Sequence, residues 1–425
     1  MEQKIFKPFV LGENNADFHN LKTHRHILIM GRVDVYTKLG VAKLMAKLAE
    51  IKDEDSVIDM AVGSGNLLLG ATHMVKNPKT LKLFGFDIEK SAIAKSASVL
   101  KGFNYVARLQ DSLNLLKDKT NLYDISILNP PWNLSIGQYF KIFPAKGKIL
   151  YQDWIWMLVA SNIAKRKSVV IESQSVLSRI KGEFQLRKKI IELNIIESII
   201  ILPNDSFENA KLYSVIIIFN KNKKDDKVLF VDGTKINKTE IIDIVLNKKE
   251  IKNISTLAAI KQIKENNYNI NPHVYLFMQN SGERIKDVFN IFTNGKKPKT
   301  YDKGGRGRLP WIRITDVKNY DGTFIKKPLC FIKKDEVICK RVRAAPKNSL
   351  ILTGRASIGK IAITNEKSSF DRGCIALVPK NKNLDIKKYI EPIRKAAIVS
   401  KTSMPGTIYK SLAKKYIENL FINVS

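Results

Sequence analysis

The sequence predicts an α/β fold, a doubly wound, mixed but mostly parallel sheet, followed by a smaller β-rich region of the α+β type. Residues 40–220 alternate between segments with helical spacing of apolar residues and short, continuous apolar runs. Such runs, separated by helices, are typical of parallel strands covered on both faces. From about residue 281 the pattern changes to short strand-like runs between glycines and prolines. With 425 residues, the chain is long enough for two domains.

Helix-like and strand-like segments follow one another in a regular order in the first region. The helical pattern GVAKLMAKLAEI precedes the first strand-like run, SVIDMAVGSG. The later runs are LKLFGFDI, YDISILNPP, KSVVIES and YSVIIIFN, of which the last is almost wholly apolar and β-branched. Residues 221–275 are rich in lysine and mixed in pattern, which predicts a connector with a few helices. We therefore predict a first domain over residues 1–275.

The change in pattern predicts a second domain over residues 281–425. Its strand-like runs, separated by turn residues, are GGRGRLPWIRITDV, NSLILTGRASIGKIAIT and RGCIALVP. Helical patterns follow near residues 386–400 and 409–420. The sequence thus predicts a mostly β domain that ends in helices.

Positive charge is concentrated in the second predicted domain. The chain has 73 lysines and arginines against 40 aspartates and glutamates, a net charge of +33. Residues 281–425 hold 32 basic and 12 acidic residues, whereas residues 1–280 hold 41 and 28. A lysine-rich proteome explains a general excess but not this local concentration. A polyanion is the expected partner, and nucleic acid is the commonest one.

The composition argues against several classes of protein. No uninterrupted apolar run is as long as a membrane span, and the segment MEQKIFKPFV lacks the apolar centre of a signal peptide. Cys330, Cys339 and Cys374 form no CxxC pair, which indicates small core thiols in a reducing cytoplasm. His24 and His26 have no second pair of ligands at metal spacing, so no metal site is predicted.

Acids and glycines follow three successive strand-like segments. The first ends in DMAVGSGN, with Asp59, Gly63 and Gly65; the second ends at Asp87; the third, LQDSL, contains Asp111. In a doubly wound sheet the ligand lies at the carboxyl ends of the strands, so these residues are expected to be close together. Glycines let the backbone approach a ligand, and acids there can accept hydrogen bonds from ribose hydroxyls or an adenine amine.

The spacing disfavours a dinucleotide as the ligand. A GxGxxG fingerprint that starts at Gly63 requires a third glycine at position 68, which is Leu68. Each acid alone is more often a turn residue or a solvated side chain. Three such positions at consecutive strand ends fit a nucleoside without an essential pyrophosphate. S-adenosylmethionine is such a molecule, and we expect it as the cofactor.

The segment ILNPPWNL ends the next strand with a carboxamide, two prolines and a large flat ring. Asn129 carries a neutral acceptor oxygen, and the fixed φ of Pro130 and Pro131 locks the direction of the carbonyls. Two acceptors that hold the hydrogens of an exocyclic amine out of the ring plane would localise its lone pair for attack on a methyl sulfonium. Trp132 offers a stacking face, worth roughly 1–3 kcal/mol per base. The alternative is a strand-ending turn with a core tryptophan.

These segments, in this order, resemble the amino-methyltransferases that modify adenine at N6 in DNA, and most closely the modification subunit of type I restriction-modification systems. GRVDVYTKLGVAKLMAKLA resembles the first motif of that family, DMAVGSGN its cofactor loop and YDISILNPPW its catalytic motif. The resemblance covers about residues 28–275 and implies the fold of S-adenosylmethionine-dependent methyltransferases. It implies catalytic roles for Asn129, Pro130, Pro131 and Trp132. The implied cofactor-binding residues are Tyr36, Thr37, Asp59, Ala61, Gly63, Gly65, Asp87, Ile88, Asp111, Ser112 and Asn129.

The motifs depart from the family pattern at single positions. Lys38 stands where the family has a proline, Met60 and Val62 stand where it usually has proline and cysteine, and Trp132 replaces the more frequent tyrosine or phenylalanine. A tryptophan still offers a stacking face. Type I modification subunits also usually have a long helical region before the first motif.

Residues 281–425 resemble one target-recognition domain of a type I specificity subunit, on the segments WIRITDV, LILTGRASIGKIAI and RGCIALVP. Those domains read bases in DNA, which agrees with the net charge. The resemblance implies candidate DNA contacts by Arg313, Thr315, Arg355, Ser357 and Lys360. The alternative for TGRASIGK is a β-turn with a structural glycine. The coiled-coil helices that follow such domains in specificity subunits are not found, so we expect catalysis and recognition in one polypeptide.

The leading hypothesis is a sequence-specific DNA adenine-N6 methyltransferase of a restriction-modification or related system. Double-stranded DNA is the expected partner, no membrane is involved, and a nuclease or other restriction-modification subunit is a possible further partner of a monomer or weak dimer. The first alternative is a protein glutamine N-methyltransferase, which also uses an NPP motif on a planar amide. The second is a non-catalytic DNA-recognition subunit. No nuclease motif and no GxxxxGK[ST] loop is found.

Overall fold

The computed structural model of the chain describes residues 37–117, 122–134, 151–179, 183–207, 212–278, 282–294, 296–299, 308–338, 342–402, 414–418, 420–422 and 424. These residues divide into two compact units, which meet in sequence between Ile260 and Lys261. No helix in the described part of the chain is both long enough and apolar enough to cross a membrane.

The first unit is built on one large sheet, in which nine strands are described. In chain order the strands are β1 (Ser56–Asp59), β2 (Lys82–Asp87), β3 (Tyr105–Leu109), β4 (Tyr123–Leu128), β5 (Ala164–Ser173), β6 (Ile196–Ile201), β7 (Ser214–Asn220), β8 (Lys227–Asp232) and β9 (Ser255–Ala259). Their order across the sheet is β3-β2-β1-β4-β5-β7-β6-β8-β9. Strands β7 and β9 run against the other seven. The predicted α/β class with a mostly parallel sheet is confirmed.

The strand order contains a switch point between β1 and β4. From β1 the chain moves outward to β2 and β3, and then returns to place β4 on the other side of β1. Ile58 of β1 is in register with Phe84 of β2 and with Ser126 of β4. Loops that leave β1 and β4 at their carboxyl ends diverge, and this divergence opens a crevice where such folds bind ligands.

Helices cover both faces of the sheet. They are α1 (Leu39–Leu48), α2 (Asn66–Thr72), α3 (Lys90–Val99), α4 (Asp153–Ile163), α5 (Phe184–Glu192) and α6 (Lys238–Leu246). Helices α1 and α2 approach so closely that a Cβ on Gly70 would lie 2.7 Å from the carbonyl carbon of Ala42. Residues of α1, α2 and the central strands form one apolar core.

The prediction of a connector over residues 221–275 was wrong. Strands β8 and β9 extend the sheet, and β8 pairs with β6 in parallel. Four consecutive residues of β8, Val228–Val231, are fully buried. The lysines that concealed this strand lie in the loops and on the helix surface around it, for example Lys224 and Lys238, which are exposed. Average composition over 55 residues therefore masked two short buried strands.

The second unit contains two larger sheets and a two-stranded ribbon. The described strands are β10 (Glu283–Arg284), β11 (Phe289–Thr293), β12 (Leu309–Ile312), β13 (Phe324–Ile325), β14 (Phe331–Ile332), β15 (Ala344–Ala345), β16 (Leu350–Thr353), β17 (Ile361–Thr364), β18 (Ser368–Phe370), β19 (Cys374–Pro379) and β20 (Phe421–Ile422). One sheet has the order β11-β19-β16-β17-β13, the other β14-β12-β18-β15, and β10 pairs with β20.

Seven helices are described after β9. They are α7 (Ile260–Glu265), α8 (Pro272–Met278), α9 (Ile285–Val288), α10 (Ile314–Asn319), α11 (Asp335–Ile338), α12 (Ile390–Thr402) and α13 (Lys414–Glu418). The helices predicted near 386–400 and 409–420 are found as α12, which follows a 3-10 turn, and as α13. Cys330 and Cys374 are buried thiols, whereas Cys339 lies outside the described residues.

Candidate active site

The predicted site residues of the first unit come together at the carboxyl edge of the sheet, around the switch point. Asp59 is the last residue of β1, Asp87 the last of β2, and Asn129 directly follows β4. Since β2, β1 and β4 are neighbours in the sheet, three loops from adjacent strands border one crevice. Tyr36, predicted from the first motif, lies outside the described residues.

The loop after β1 is ordered by the two acids. Ala61 N–H donates to Asp59 Oδ1 over 3.1 Å, and Gly63 N–H donates to Asp87 Oδ2 over 3.0 Å. Gly63 and Gly65 have φ values of +49° and +85°, in the left-handed region that favours glycine. A Cβ on Gly65 would lie 3.3 Å from Ser96 Cα, so this glycine also permits close packing against α3. The two glycines are thus required by backbone shape.

Asp87 keeps acceptor capacity for a ligand. Its Oδ1 accepts from Glu89 N–H over 3.0 Å and its Oδ2 from Gly63 N–H, which uses about half of the lone pairs of an ionised carboxylate. Asp87 is half-buried, and the following Ile88 is 48% exposed. An acid with unused lone pairs beside an exposed apolar side chain suits a ribose next to a planar base.

Tyr105 is a member of this site that the sequence analysis missed. Its ring crosses β2 at Gly85, where a Cβ would lie 2.2 Å from the phenolic oxygen. The phenol shares a hydrogen bond with Ser96 Oγ at 2.8 Å, and burial, with Asp59 and Asp87 nearby, raises the pKa of Tyr105. The only sequence signal is a glycine inside a strand, which indicates close approach of another group.

Asp59 is a buried carboxyl with an unusual affinity for its proton. It is 1% exposed, and burial raises its pKa to about 8. The hydrogen bond from Ala61 N–H lowers this pKa, whereas the charge of the nearby Asp87 raises it. The folded protein therefore keeps a proton that the unfolded chain releases near pH 4. The stability that this bound proton contributes is fully present below about pH 4 and is lost as the pH rises through about 8.

We expect Asp59→Asn to remove this dependence of stability on pH. The amide keeps an acceptor for Ala61 N–H but does not titrate. Between about pH 4 and pH 8, the unfolding free energy of the natural protein should fall relative to the variant by at most about 1.4 kcal/mol per pH unit. Denaturant unfolding over a pH series measures this difference. Asp53→Asn, in an exposed turn, is the control, and parallel curves for Asp59→Asn and the natural protein would contradict the expectation.

Ser112 and Asp111 differ in their surroundings. Ser112 is 1% exposed, and its hydroxyl donates to the Met60 carbonyl over 2.6 Å, so it holds the backbone of the loop after β1. Asp111 is half-buried and accepts from Leu113 N–H over 3.1 Å. Contact of either residue with an adenine remains a prediction.

The carboxamide of Asn129 is oriented by Thr37. Asn129 Nδ2 donates to Thr37 Oγ1 over 3.1 Å, and the Thr37 carbonyl accepts from Asn66 Nδ2 over 3.0 Å. Because the amide nitrogen is used in this way, Oδ1 is the atom of the carboxamide that is available as an acceptor. Thr37 was predicted to bind the cofactor, which stays a prediction; in the structure its hydroxyl accepts from the Asn129 amide. Asn66, at the start of α2, was not singled out from the sequence.

Trp132 is fixed at two edges. Its Nε1 donates to the Ile171 carbonyl of β5 over 3.3 Å, and its ring meets Phe207 edge-on, with 5.1 Å between centroids and 85° between planes. The indole remains half-buried, packed against the core on one side. Phe207, which forms an isolated β-bridge with Thr37, thus belongs to the same wall of the crevice and was missed from the sequence.

A second surface forms in the second unit where three strands end. Arg313 follows β12, Arg355 follows β16 by one residue, and Arg372 lies between β18 and β19. A Cβ on Gly373 would lie 2.7 Å from Ile314 Cδ1 and 3.9 Å from Arg355 Cβ, so these loops meet around Gly373. We call Arg313, Thr315, Arg355 and Arg372 the arginine surface. Arg372 is an exposed residue that was not predicted as a DNA contact. The sequence indicated it only through the general excess of positive charge in residues 281–425.

Ser357 and Lys360 are constrained by their own turn. Thr353 Oγ1 donates to the Ser357 carbonyl over 2.5 Å and accepts from Lys360 N–H over 3.0 Å. The Lys360 ammonium lies 2.8 Å from Asp321 Oδ2, and Arg394 binds the other oxygen of that acid over 2.7 Å. The charge of Lys360 is therefore partly compensated within the unit.

Two family models match successive parts of the chain. Residues 30–284 match the family model described as N-6 DNA Methylase. Residues 282–424 match the model described as Type I restriction modification DNA specificity domain. Both predicted resemblances are confirmed.

Curated relatives cover each part separately. The methylase subunit of the type I restriction enzyme MjaVII of Methanocaldococcus jannaschii is 28% identical over 292 residues, which are 59% of this chain and 51% of that protein. The MjaIX specificity subunit of the same organism is 31% identical over 100 residues, 23% of each chain. This chain therefore spans about half the length of the methylase subunits that it matches.

Solved structures support the same fold. The type I restriction-modification methyltransferase subunit of Streptococcus thermophilus is 26% identical, has a TM-score of 0.51, and covers 56% of this chain and 58% of its own. The type IIG restriction endonuclease BpuSI is similar in fold, with 13% identity, a TM-score of 0.51, and coverage of 92% of this chain and 58% of its own.

Proposed function

The chain belongs to the N-6 DNA methylase family, and from that premise we propose that it transfers a methyl group from S-adenosylmethionine to N6 of adenine in DNA. The observation that carries the proposal is the hydrogen bond between Asn129 and Thr37 at the switch point. This hydrogen bond occupies the amide nitrogen, which leaves the amide oxygen as an acceptor at the sheet edge where Asp59 and Asp87 also lie. We further propose that the part matched by the specificity-domain model selects the DNA site.

The crevice fits S-adenosylmethionine. Among the described residues other than its two chain neighbours, a Cβ on Gly63 would meet only the Ala61 carbonyl oxygen within 4 Å, at 3.9 Å, so this part of the structure leaves space beside the loop. We propose that Asp87 binds the ribose hydroxyls, that Ile88 packs on the adenine, and that Asp59 and the glycine loop border the methionine end. When bound, S-adenosylmethionine supplies an electrophilic methyl group on a positively charged sulfur.

The residues after β4 are suited to prepare an adenine amine. We propose that Asn129 Oδ1 and the Pro130 carbonyl accept its two hydrogens, which withdraws the nitrogen lone pair from the ring. Trp132 then holds the ring plane. An adenine inside the duplex is paired through this amine, so it must leave the stack before these contacts form. The proton can leave the product nitrogen after transfer, and no general base is required beforehand.

The function is tested by incubating the full chain with labelled S-adenosylmethionine and unmethylated genomic DNA. Modification-sensitive sequencing of DNA from a host that expresses the protein then reports the base, site and strand. We expect N6-methyladenine at one short sequence. Label on protein would support a glutamine methyltransferase, and DNA binding without transfer would support a recognition subunit. Either result would overturn the proposal.

For DNA binding, we expect Arg372→Ala to weaken affinity about 10-fold and to reduce the salt slope by about 1, because we propose that this exposed cation contacts phosphate or a base. Lys360→Ala is the matched control. Its ammonium is paired with Asp321, so we expect less than about 3-fold loss. Titration at several salt concentrations measures both quantities. Equal effects of Arg372→Ala and Lys360→Ala would contradict the assignment of the arginine surface.

A further inference from the structure

A buried cluster of charges binds the residue that follows the catalytic motif. Asn133 has a φ of +57°, a left-handed conformation that asparagine tolerates better than most residues. Its N–H donates to Asp153 Oδ1 over 2.8 Å, and its side-chain oxygen accepts from an Arg179 Nη2 hydrogen. The other amino group of Arg179 donates to Asp153 Oδ2 over 2.5 Å. The three residues form a closed ring of hydrogen bonds, which we call the Arg179 clamp.

The clamp is supported on several sides. Arg179 also donates to Glu183 over 2.9 Å and to Ser175 Oγ over 2.5 Å. Its guanidinium carbon lies 4.5 Å from the centre of the Tyr151 ring. Gln152 N–H donates to the Leu134 carbonyl over 2.9 Å, which binds the same turn at a second position. These contacts hold the guanidinium in one orientation.

Stability alone is a poor explanation for this cluster. Arg179 is 7% exposed, and Asp153, Glu172 and Glu183 are fully buried. Glu172 Oε1 has no hydrogen-bond partner among the described residues, and burial, with Asp153 nearby, raises the pKa of Glu172 well above its usual range. Buried ionic groups of this kind are often less stabilising than well-packed apolar residues of the same volume. They are retained where they fix a particular geometry.

A stiff segment of the chain connects the Arg179 clamp to the proposed acceptors at Asn129 and Pro130. Pro130 and Pro131 have fixed φ, and each also restricts the residue before it, so the chain from Asn129 to Trp132 has few free torsions. Strand β4 fixes one end of this segment and the clamp fixes the other. Movement at Asn133 would therefore be transmitted to the Pro130 carbonyl.

We propose that Arg179 and Asp153 are positioning residues for methyl transfer, which act through Asn133 to set the direction of the acceptors at Asn129 and Pro130. The inference rests on the proposed function. Neither residue lies at the Asp59 or Asp87 end of the crevice, so the clamp affects the rate of transfer and leaves cofactor binding unchanged.

The test compares Asn133→Gly, Arg179→Lys and the double variant in single-turnover methyl transfer from labelled S-adenosylmethionine to saturating unmethylated genomic DNA. Glycine keeps the left-handed backbone but removes the acceptor. Lysine keeps the buried charge but lacks the planar fork that spans two acceptors. We expect each single variant to lower the rate constant about 10- to 100-fold, since small displacements of reacting groups have effects of this size. Cofactor Kd should stay within about 2-fold of the natural protein.

Three comparisons make the outcome decisive. The double variant should be no slower than the slower single variant, because both disrupt one unit; multiplied effects would overturn the proposal. Arg166→Lys, which alters the Arg166–Asp55 pair at the other end of β5, should leave the rate unchanged. An unaltered rate in Asn133→Gly, where glycine keeps the left-handed backbone of this exposed residue, would also overturn it. If the natural protein fails to methylate DNA, the proposed function fails instead.

Discussion

Replacing Asn129 with alanine is expected to lower the rate of methyl transfer by about 10³-fold or more while cofactor Kd changes by less than about 2-fold. The substitution removes one of two acceptors that act on the reacting amine, and the loss of one such preorganised group typically costs 10²–10³ in rate. The lone pair would also return to the ring. The cofactor contacts that we propose for Asp59 and Asp87 lie at the ends of β1 and β2, whereas Asn129 follows β4, so binding and transfer should separate.

Single-turnover transfer and equilibrium cofactor binding measure the two quantities. Thr37→Val is the matched partner variant: it keeps Asn129 but removes the hydroxyl that accepts from its Nδ2, so we expect a smaller loss of about 10-fold. Asn77→Ala, which only caps an exposed 3-10 turn, is the control. Methylation by Asn129→Ala at the natural rate would show that the amide has no catalytic role.

The second large effect is expected at Asp87, where alanine should weaken cofactor binding about 10²-fold. Two losses combine. The loop after β1 loses the acceptor that fixes Gly63 N–H, and the ribose loses a charged acceptor, each worth roughly 1.5–3 kcal/mol when the group is ionised. Because the same carboxylate shapes the loop and faces the crevice, its removal disturbs both.

Equilibrium binding of S-adenosylmethionine or of its demethylated product measures this loss. Glu89→Ala is the matched control. Glu89 contributes only its backbone N–H to Asp87, which alanine retains, and its own side chain is exposed. Equal affinity of Asp87→Ala and Glu89→Ala would refute the assignment of the ribose site to Asp87.

Features with a local sequence signature were predictable. Strand ends at Asp59 and Asp87, glycines with positive φ, and the Asn-Pro-Pro-Trp turn all follow from runs of a few residues. The carboxyl-edge rule then places them together, because parallel strands end on the same side of a sheet. These features of the site can be predicted without knowing the directions of the side chains.

Contacts between distant residues were not predictable in this way. Thr37 and Asn129 are 92 positions apart, and Arg179 and Asn133 are 46 apart. Nothing in the local pattern indicates that a serine-rich turn carries a buried arginine. Strands β8 and β9 were missed for a related reason: lysines in the turns dominated the average composition, although the four central residues of β8 are fully buried.

The insertion of β7 between β5 and β6 has a consequence for the order of assembly. Strands β1, β2 and β3 are consecutive in sequence and in the sheet, so they can pair as soon as they are synthesised. In the described part of the sheet, strands β5 and β6 are joined through residues 214–220, which emerge last of the three. A nascent chain should therefore complete its cofactor-binding edge before the wall that carries Trp132, and we expect an early intermediate that binds the methyl donor before it can process a base.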